Sequence, residues 1–156
     1  MEGTGPFCLG AVASPDADPL ALQLSRLAKK TRAGARFLVT QPVYDLERFQ
    51  TWWRDVTRRG LHEQAAIVAG IQPISDGDFA AAQAGPRPRL AIPEALAGRV
   101  ASQGDPAARR AAAIEIALET ISRLSKLPGL RGFCLSADGD HEAVLQLIER
   151  SGLGGD

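Results

Sequence analysis

Four short apolar runs recur along the chain, Phe7 to Ala13, Phe37 to Thr40, Ala66 to Ile71 and Gly132 to Leu135, with β-branched residues concentrated in the middle two. Runs of this length predict buried strands. The segments between them carry the helical period instead. Leu20, Leu24 and Leu27 fall on one helix face and leave Arg26, Lys29 and Lys30 on another, and Gly34 stands where a left-handed cap would end such a helix. Asp45 predicts the N-cap of a second helix, with Arg48 at its third position, Phe49, Trp52, Trp53 and Val56 on one side, and Gly60 at the stop. Aromatics at helical spacing mostly supply buried area, so Trp52 and Trp53 are expected to cover the sheet.

After the third run, Asp76 to Ala84 reads as a short helix or loop and Pro86 to Pro88 as irregular chain. Pro93 opens a short helix to Val100, and Asp105-Pro106 caps a long one to about Leu124, apolar at Ile114, Ala117, Leu118 and Ile121. Pro128-Gly129 breaks it. A last helix starts near Asp140, with Val144, Leu145 and Ile148 predicted to face inward.

Strand and helix thus alternate four times, which implies parallel strands joined by right-handed crossovers and an α/β class. Periodicity does not separate a piece of a barrel from an open doubly wound sheet, because both alternate in this way. No GxGxxG or P-loop spacing follows any strand, which weakens the nucleotide-binding open sheets. At 156 residues the chain reads as a single domain over residues 1–156. With 45% apolar residues, 23% charged and zero net charge, nothing global points to nucleic acid or a membrane surface. No apolar run is long enough to span a bilayer, and Met1 to Pro6 has no secretory pattern, so a cytoplasmic location is expected. Cys8 and Cys134 lie within apolar stretches and read as small free hydrophobes rather than a disulfide.

In either α/β architecture ligands meet the carboxyl ends of the strands. The residues there are Ser14-Pro15, Thr40-Gln41-Pro42, Gln72-Pro73 and Ser136, all neutral and hydrogen-bonding, with no obvious acid, base or nucleophile. Gln41 is the most specific of them. Its amide both donates and accepts, which suits a heterocycle with an amide edge such as a pterin, although polar residues also end strands where no ligand binds. From Pro19 through Tyr44 there is no acidic residue, while Arg26, Lys29, Lys30, Arg32 and Arg36 fall inside. Arg26, Lys29 and Lys30, at i, i+3 and i+4, form either a solvated basic face or a set that converges on an anion such as a diphosphate. His62 and His141 are too isolated for a metal set, and Asp138-Gly139-Asp140 reads as a turn and an N-cap rather than a calcium loop.

Taken in order, Leu9-Gly10-Ala11-Val12-Ala13-Ser14-Pro15, then Gln23, Arg26, Lys29-Lys30 and Ala33-Gly34-Ala35, then Thr40-Gln41-Pro42-Val43-Tyr44-Asp45, Gly70-Ile71-Gln72-Pro73, Ile92-Pro93-Glu94 and Pro128 to Phe133 resemble the methylenetetrahydrofolate reductase family. The Thr40 to Asp45 stretch is the strongest element. The resemblance covers nearly the whole chain and implies four consecutive βα units, strands five to eight of a TIM (β/α)8 barrel. It implies reduction of 5,10-methylenetetrahydrofolate to 5-methyltetrahydrofolate by NAD(P)H through FAD, within one-carbon metabolism. By the same resemblance Gln41 and Gln72 are expected to contact the substrates, and Ser14, Gln23, Arg26, Lys29 and Lys30 to hold FAD. The family's acid, a glutamate after the first strand, and its flavin-tuning aspartate, after the fourth, belong to segments that this sequence does not include, so no catalytic residue is expected in this half. The chain also departs at Cys134, where the family commonly has His, and at Asp138 and Asp140, where some relatives carry a basic residue. Half a barrel leaves two open strand edges and an apolar inner face, so it is expected to pair with a copy of itself or with a separate amino-terminal half.

Overall fold

The computed structural model describes residues 7–75, 92–137 and 139–153. The segments expected at Asp76 to Ala84 and Pro86 to Pro88, and the residues Met1 to Pro6 and Asp138, lie outside the described residues. The elements run β1 (Gly10–Ala13), α1 (Leu20–Arg32), β2 (Phe37–Pro42), α2 (Leu46–Arg58), α3 (Leu61–Gln64), β3 (Ala66–Ile71), α4 (Glu94–Ala101), α5 (Pro106–Leu124), β4 (Gly132–Leu135) and α6 (His141–Ser151). The four strands form one parallel sheet in the order β1-β2-β3-β4. That order contains no reversal, and a reversal is what creates the binding crevice of a doubly wound sheet.

The two sheet faces differ. Leu38, Ile67 and Ala69 point to the helices and are fully buried in one core with Leu24 and Leu27 of α1, the aromatics of α2, Ile121 and Leu124 of α5 and Leu147 of α6. On the opposite face the register aligns Val12, Val39, Val68 and Gly132. Among the described residues nothing covers that row fully: Val12 is 56% exposed and Phe37, which crosses over Gly10, is 38% exposed. All the helices that build the core therefore pack on one side of the sheet.

Phe49, Trp52, Trp53 and Val56 are buried, with the Phe49 and Trp53 rings stacked at 6.2 Å, so the aromatic stripe of α2 does cover the sheet. Helix starts follow their caps. The carboxylates of Asp45, Asp105 and Asp140 accept from the backbone N–H of Arg48, Ala108 and Ala143. Among the described residues Asp105 makes only this contact, so Asp105→Ala is expected to cost about 1 kcal/mol, measurable as a lowered denaturant midpoint with an unchanged slope. Gly34, Gly60 and Gly129 take positive φ values of 102°, 64° and 85° where the helices stop.

Three expectations are corrected. The first strand begins at Gly10 rather than Phe7, and Phe7 is 93% exposed. Cys8 and Cys134 are free, as expected, but exposed rather than buried, because one precedes an edge strand and the other lies on the opposite edge strand. On α6 the buried residues are Ala143 and Leu147, whereas Leu145 and Ile148 are exposed. Among the described residues α6 packs against α5, and that contact takes up Ala143 and Leu147.

Candidate functional site

The carboxyl end of the sheet is shaped by a bulge. Val39 pairs with Val68, but Pro42 pairs with Gly70, so β2 carries one residue more than β3 across that interval. The extra length lies at Thr40-Gln41. Thr40 fixes it from within the core, accepting from the Gly70 N–H at 2.9 Å and donating to the Gln41 carbonyl at 2.8 Å. The Val43 N–H closes the far side on the Gly70 carbonyl at 3.0 Å. A side chain at residue 70 would meet the Thr40 carbonyl at 2.5 Å, so the close approach that positions Gln41 requires glycine there. Gln41 is half-buried at this mouth.

On the neighbouring strand ends, the Ser136 hydroxyl donates to the Gln72 Oε1 at 3.3 Å, and its backbone N–H donates to the Ile71 carbonyl at 2.9 Å. The mouth thus presents Gln41 and a Gln72-Ser136 pair, from three adjacent strands.

Beside β1 a small depression is lined by Ser14, Gln23, Arg26, Lys30 and Trp52. Four of the five residues expected to hold a cofactor meet here, and Lys29 does not line it. The reason is angular. At 100° per residue Lys29 and Lys30 lie on opposite sides of Arg26 around the helix, and only the Lys30 side turns toward the strand. Lys30 Nζ donates to the Val12 carbonyl at 2.5 Å. Gln23 is 9% exposed and lines this depression from the α1 side.

Asp16, in the turn after β1, was not singled out by sequence. Its Oδ1 is buried without a hydrogen-bond partner. Burial, reinforced by the nearby Asp45 carboxylate and opposed by Arg48, raises its pKa from 3.8 to about 6. Arg48 instead reaches Asp18 at 2.6 Å. Burial of Asp16 is a tertiary fact. The only local signal was a carboxylate two residues after Ser14 in a strand-end loop.

A cavity of about 250 Å³ lies beyond β3 and β4, between Ile74, Val100, Ala113 and Ala143, with Arg109 and Arg110 at its edge. Arg110 engages Asp140 through two nitrogens, at 2.5 and 2.9 Å. Asp140 is held down at a pKa of about 2 by that guanidinium, with the Ala143 N–H assisting. Asp140 is therefore occupied as a cap and an ion pair. Among the described residues no group of three or more His, Cys, Asp or Glu side chains could hold a metal ion, and no helix is long and apolar enough to cross a membrane.

The family model described as "Methylenetetrahydrofolate reductase" matches residues 3–152. The chain belongs to the methylenetetrahydrofolate reductase family. "Methylenetetrahydrofolate reductase 2" of Saccharomyces cerevisiae is 32% identical over 75 residues, which cover 44% of this chain and 12% of the yeast protein. Among solved structures, an uncharacterized protein from Clostridium thermocellum that binds two copies of 5-methyl-5,6,7,8-tetrahydrofolic acid superposes with a TM-score of 0.62 at 17% identity. The match covers 92% of this chain and 51% of that one, and at this identity it establishes the shared fold. This reductase-family chain spans about half the length of the solved relative and a smaller part of the yeast one.

Proposed function

We propose that the chain is the carboxy-terminal half of a reductase (β/α)8 barrel, strands five to eight, and supplies its folate- and FAD-binding surface. In the complete barrel the reaction would be reduction of 5,10-methylenetetrahydrofolate to 5-methyltetrahydrofolate by NAD(P)H through FAD. The observation that carries this reading is the bulge that holds Gln41 at the carboxyl end of the sheet, next to Gln72 and beside the basic depression. The unreversed strand order and the open inner face support a barrel segment, and the folate bound by the solved relative supports the substrate class.

FAD fits the residues present. Arg26 and Lys30 offer two cations to a diphosphate in a stretch free of acidic residues, and Ser14 and Gln23 offer hydroxyl and amide partners to a ribose. Bound there, FAD would supply hydride transfer between NAD(P)H and the folate. Gln41 and Gln72 would orient the pterin by its amide edge. By family resemblance, the acid and the flavin-tuning carboxylate come from the amino-terminal half.

Gln41→Glu in the completed barrel is expected to lower kcat/KM for the folate by at least about tenfold, because a carboxylate no longer donates to the pterin. Unchanged folate turnover would remove Gln41 from the site. Separately, Lys30→Ala is expected to weaken FAD binding by roughly tenfold, the loss of one charge-assisted contact, read by quenching of flavin fluorescence. Lys29→Ala should leave FAD affinity within about twofold, as for a charge outside the contact set.

A further inference from the structure

Around the loop that follows β1, two buried side-chain atoms have no hydrogen-bond partner, Asp16 Oδ1 and Arg48 Nε. They are complementary, because an ionised carboxylate only accepts and a guanidinium only donates. They also belong to one cluster. The charged side chains that act on the Asp16 carboxyl are Asp45 and Arg48, both at the start of α2. On the α1 side the cations are Arg26 and Lys30, which line the depression at Ser14, with Lys30 Nζ on the Val12 carbonyl.

The loop and the helix start each lead to a part of the site. The Ala17 N–H donates to the Ser14 carbonyl at 3.4 Å, so the turn that carries Asp16 also sets Ser14 at the edge of the basic depression. Arg48 lies in the first turn of α2, just beyond the segment that runs on from Gln41 and Pro42.

Arg48 is fixed at its backbone and loosely held at its side chain. Its N–H donates to Asp45 Oδ1 at 2.9 Å. Among the described residues its guanidinium makes one ion pair, from Nη2 to Asp18 Oδ1 at 2.6 Å, and the Asp18 side chain is 78% exposed. An exposed pair of this kind is weak, whereas an ionised carboxylate in a buried position strongly favours a guanidinium partner. The charge on Asp16 therefore decides which carboxylate holds Arg48. Burial, reinforced by Asp45 and opposed by Arg48, raises the Asp16 pKa from 3.8 to about 6, so the group is neutral in acid and ionised above neutrality.

We propose that Arg48 is a pH-sensitive clasp that exchanges one carboxylate for another. While Asp16 is protonated, Arg48 reaches outward to Asp18, as in the present structure. Once Asp16 is ionised, the guanidinium turns inward, its Nε donates to Asp16 Oδ1, and Asp18 is released. Side-chain rotation suffices, because the Asp45 cap holds the backbone of Arg48 in both states. At neutral pH the start of α2 is thus tied to the turn below Ser14, and in acid to the outer end of the same loop. The clasp goes beyond the folate and FAD reading and stands without it.

Nuclear magnetic resonance of the full chain tests it, by following the Asp16 carboxyl carbon and the Arg48 Nε–H resonance from about pH 4.5 to about pH 7.5, which brackets the Asp16 pKa of about 6. The two should move with one midpoint, and the Nε proton should shift downfield as it gains an acceptor. In Asp16→Asn the Arg48 resonance should lose its pH dependence. In Asp18→Asn, which removes only an exposed partner, the common midpoint should fall by roughly one unit, because a freed Arg48 favours the ionised form of Asp16. Far-UV circular dichroism checks that both variants keep the fold. An Arg48 resonance that stays constant while Asp16 titrates, or that still titrates in Asp16→Asn, would overturn the clasp. So would an Asp18→Asn midpoint that does not fall, or a wild-type Asp16 midpoint at the ordinary 3.8.

Discussion

Gly70→Ala is expected to destabilise the chain by about 3 kcal/mol and to dismantle the bulge that holds Gln41 with it. The added methyl would stand 2.5 Å from the Thr40 carbonyl and 3.1 Å from the Gln41 carbonyl carbon. Both are backbone atoms in a buried central strand pair, so no side-chain rotation relieves the overlap, and overpacking of this kind costs on the order of 1–3 kcal/mol. Relief requires moving β2 from β3, which breaks the Gly70 N–H to Thr40 Oγ1 bond at 2.9 Å and leaves a buried donor without a partner. Chemical denaturation should show the loss. A variant as stable as wild type would mean that the bulge does not fix Gln41.

The second large effect runs toward greater stability. Asp16 has a folded-state pKa of about 6 against 3.8 for the free group. Raising a carboxyl pKa means that the fold favours the neutral form. Its contribution is therefore intact below pH 3.8 and is lost as pH rises through 6. Asp16→Asn keeps the shape and removes the charge, so at pH 8 it should stabilise the protein by about 2 kcal/mol, after allowance for partial solvent screening. At pH 3.5 the two proteins should differ little. Comparing them at each pH cancels the other carboxylates. A difference independent of pH would show that Asp16 is not held in its neutral form. A buried carboxylate kept at a stability cost, at a strand end, is the kind of group that binding sites retain.

Much of the fold was legible because local signals agreed. β3 and β4 occupy the stretches that their apolar runs mark, and the three aspartate caps start the helices that they precede. Failures occur where the determining fact is not local. β2 runs on through Gln41 and Pro42 because the bulge against Gly70 carries the pairing past the apolar run. The short helix α3 follows Gly60 directly, and its single buried residue, Leu61, gives no period to read. Leu145 and Ile148 have the spacing of a buried face, but packing turns Ala143 and Leu147 into the core instead.

The site divides in the same way. Gln41, Gln72 and Ser136 were visible as polar residues after apolar runs, a position set by chain order alone. Spacing on α1 placed Arg26, Lys29 and Lys30 on one broad face, yet only packing against β1 decides that Arg26 and Lys30 share a depression with Ser14 and Gln23 while Lys29 remains outside it. Asp16 went unnoticed because its pKa is set by burial and by Asp45, nearly thirty residues away in sequence.

The measurement that bears most directly on the binding-half reading is made on this chain coexpressed with the amino-terminal four βα units of a reductase of the same family. The complex should purify with flavin absorbance and reduce 5,10-methylenetetrahydrofolate at the expense of NAD(P)H, and Gln41→Glu should abolish most of that turnover while leaving the complex coloured. A stable complex that is colourless and inert would contradict the account.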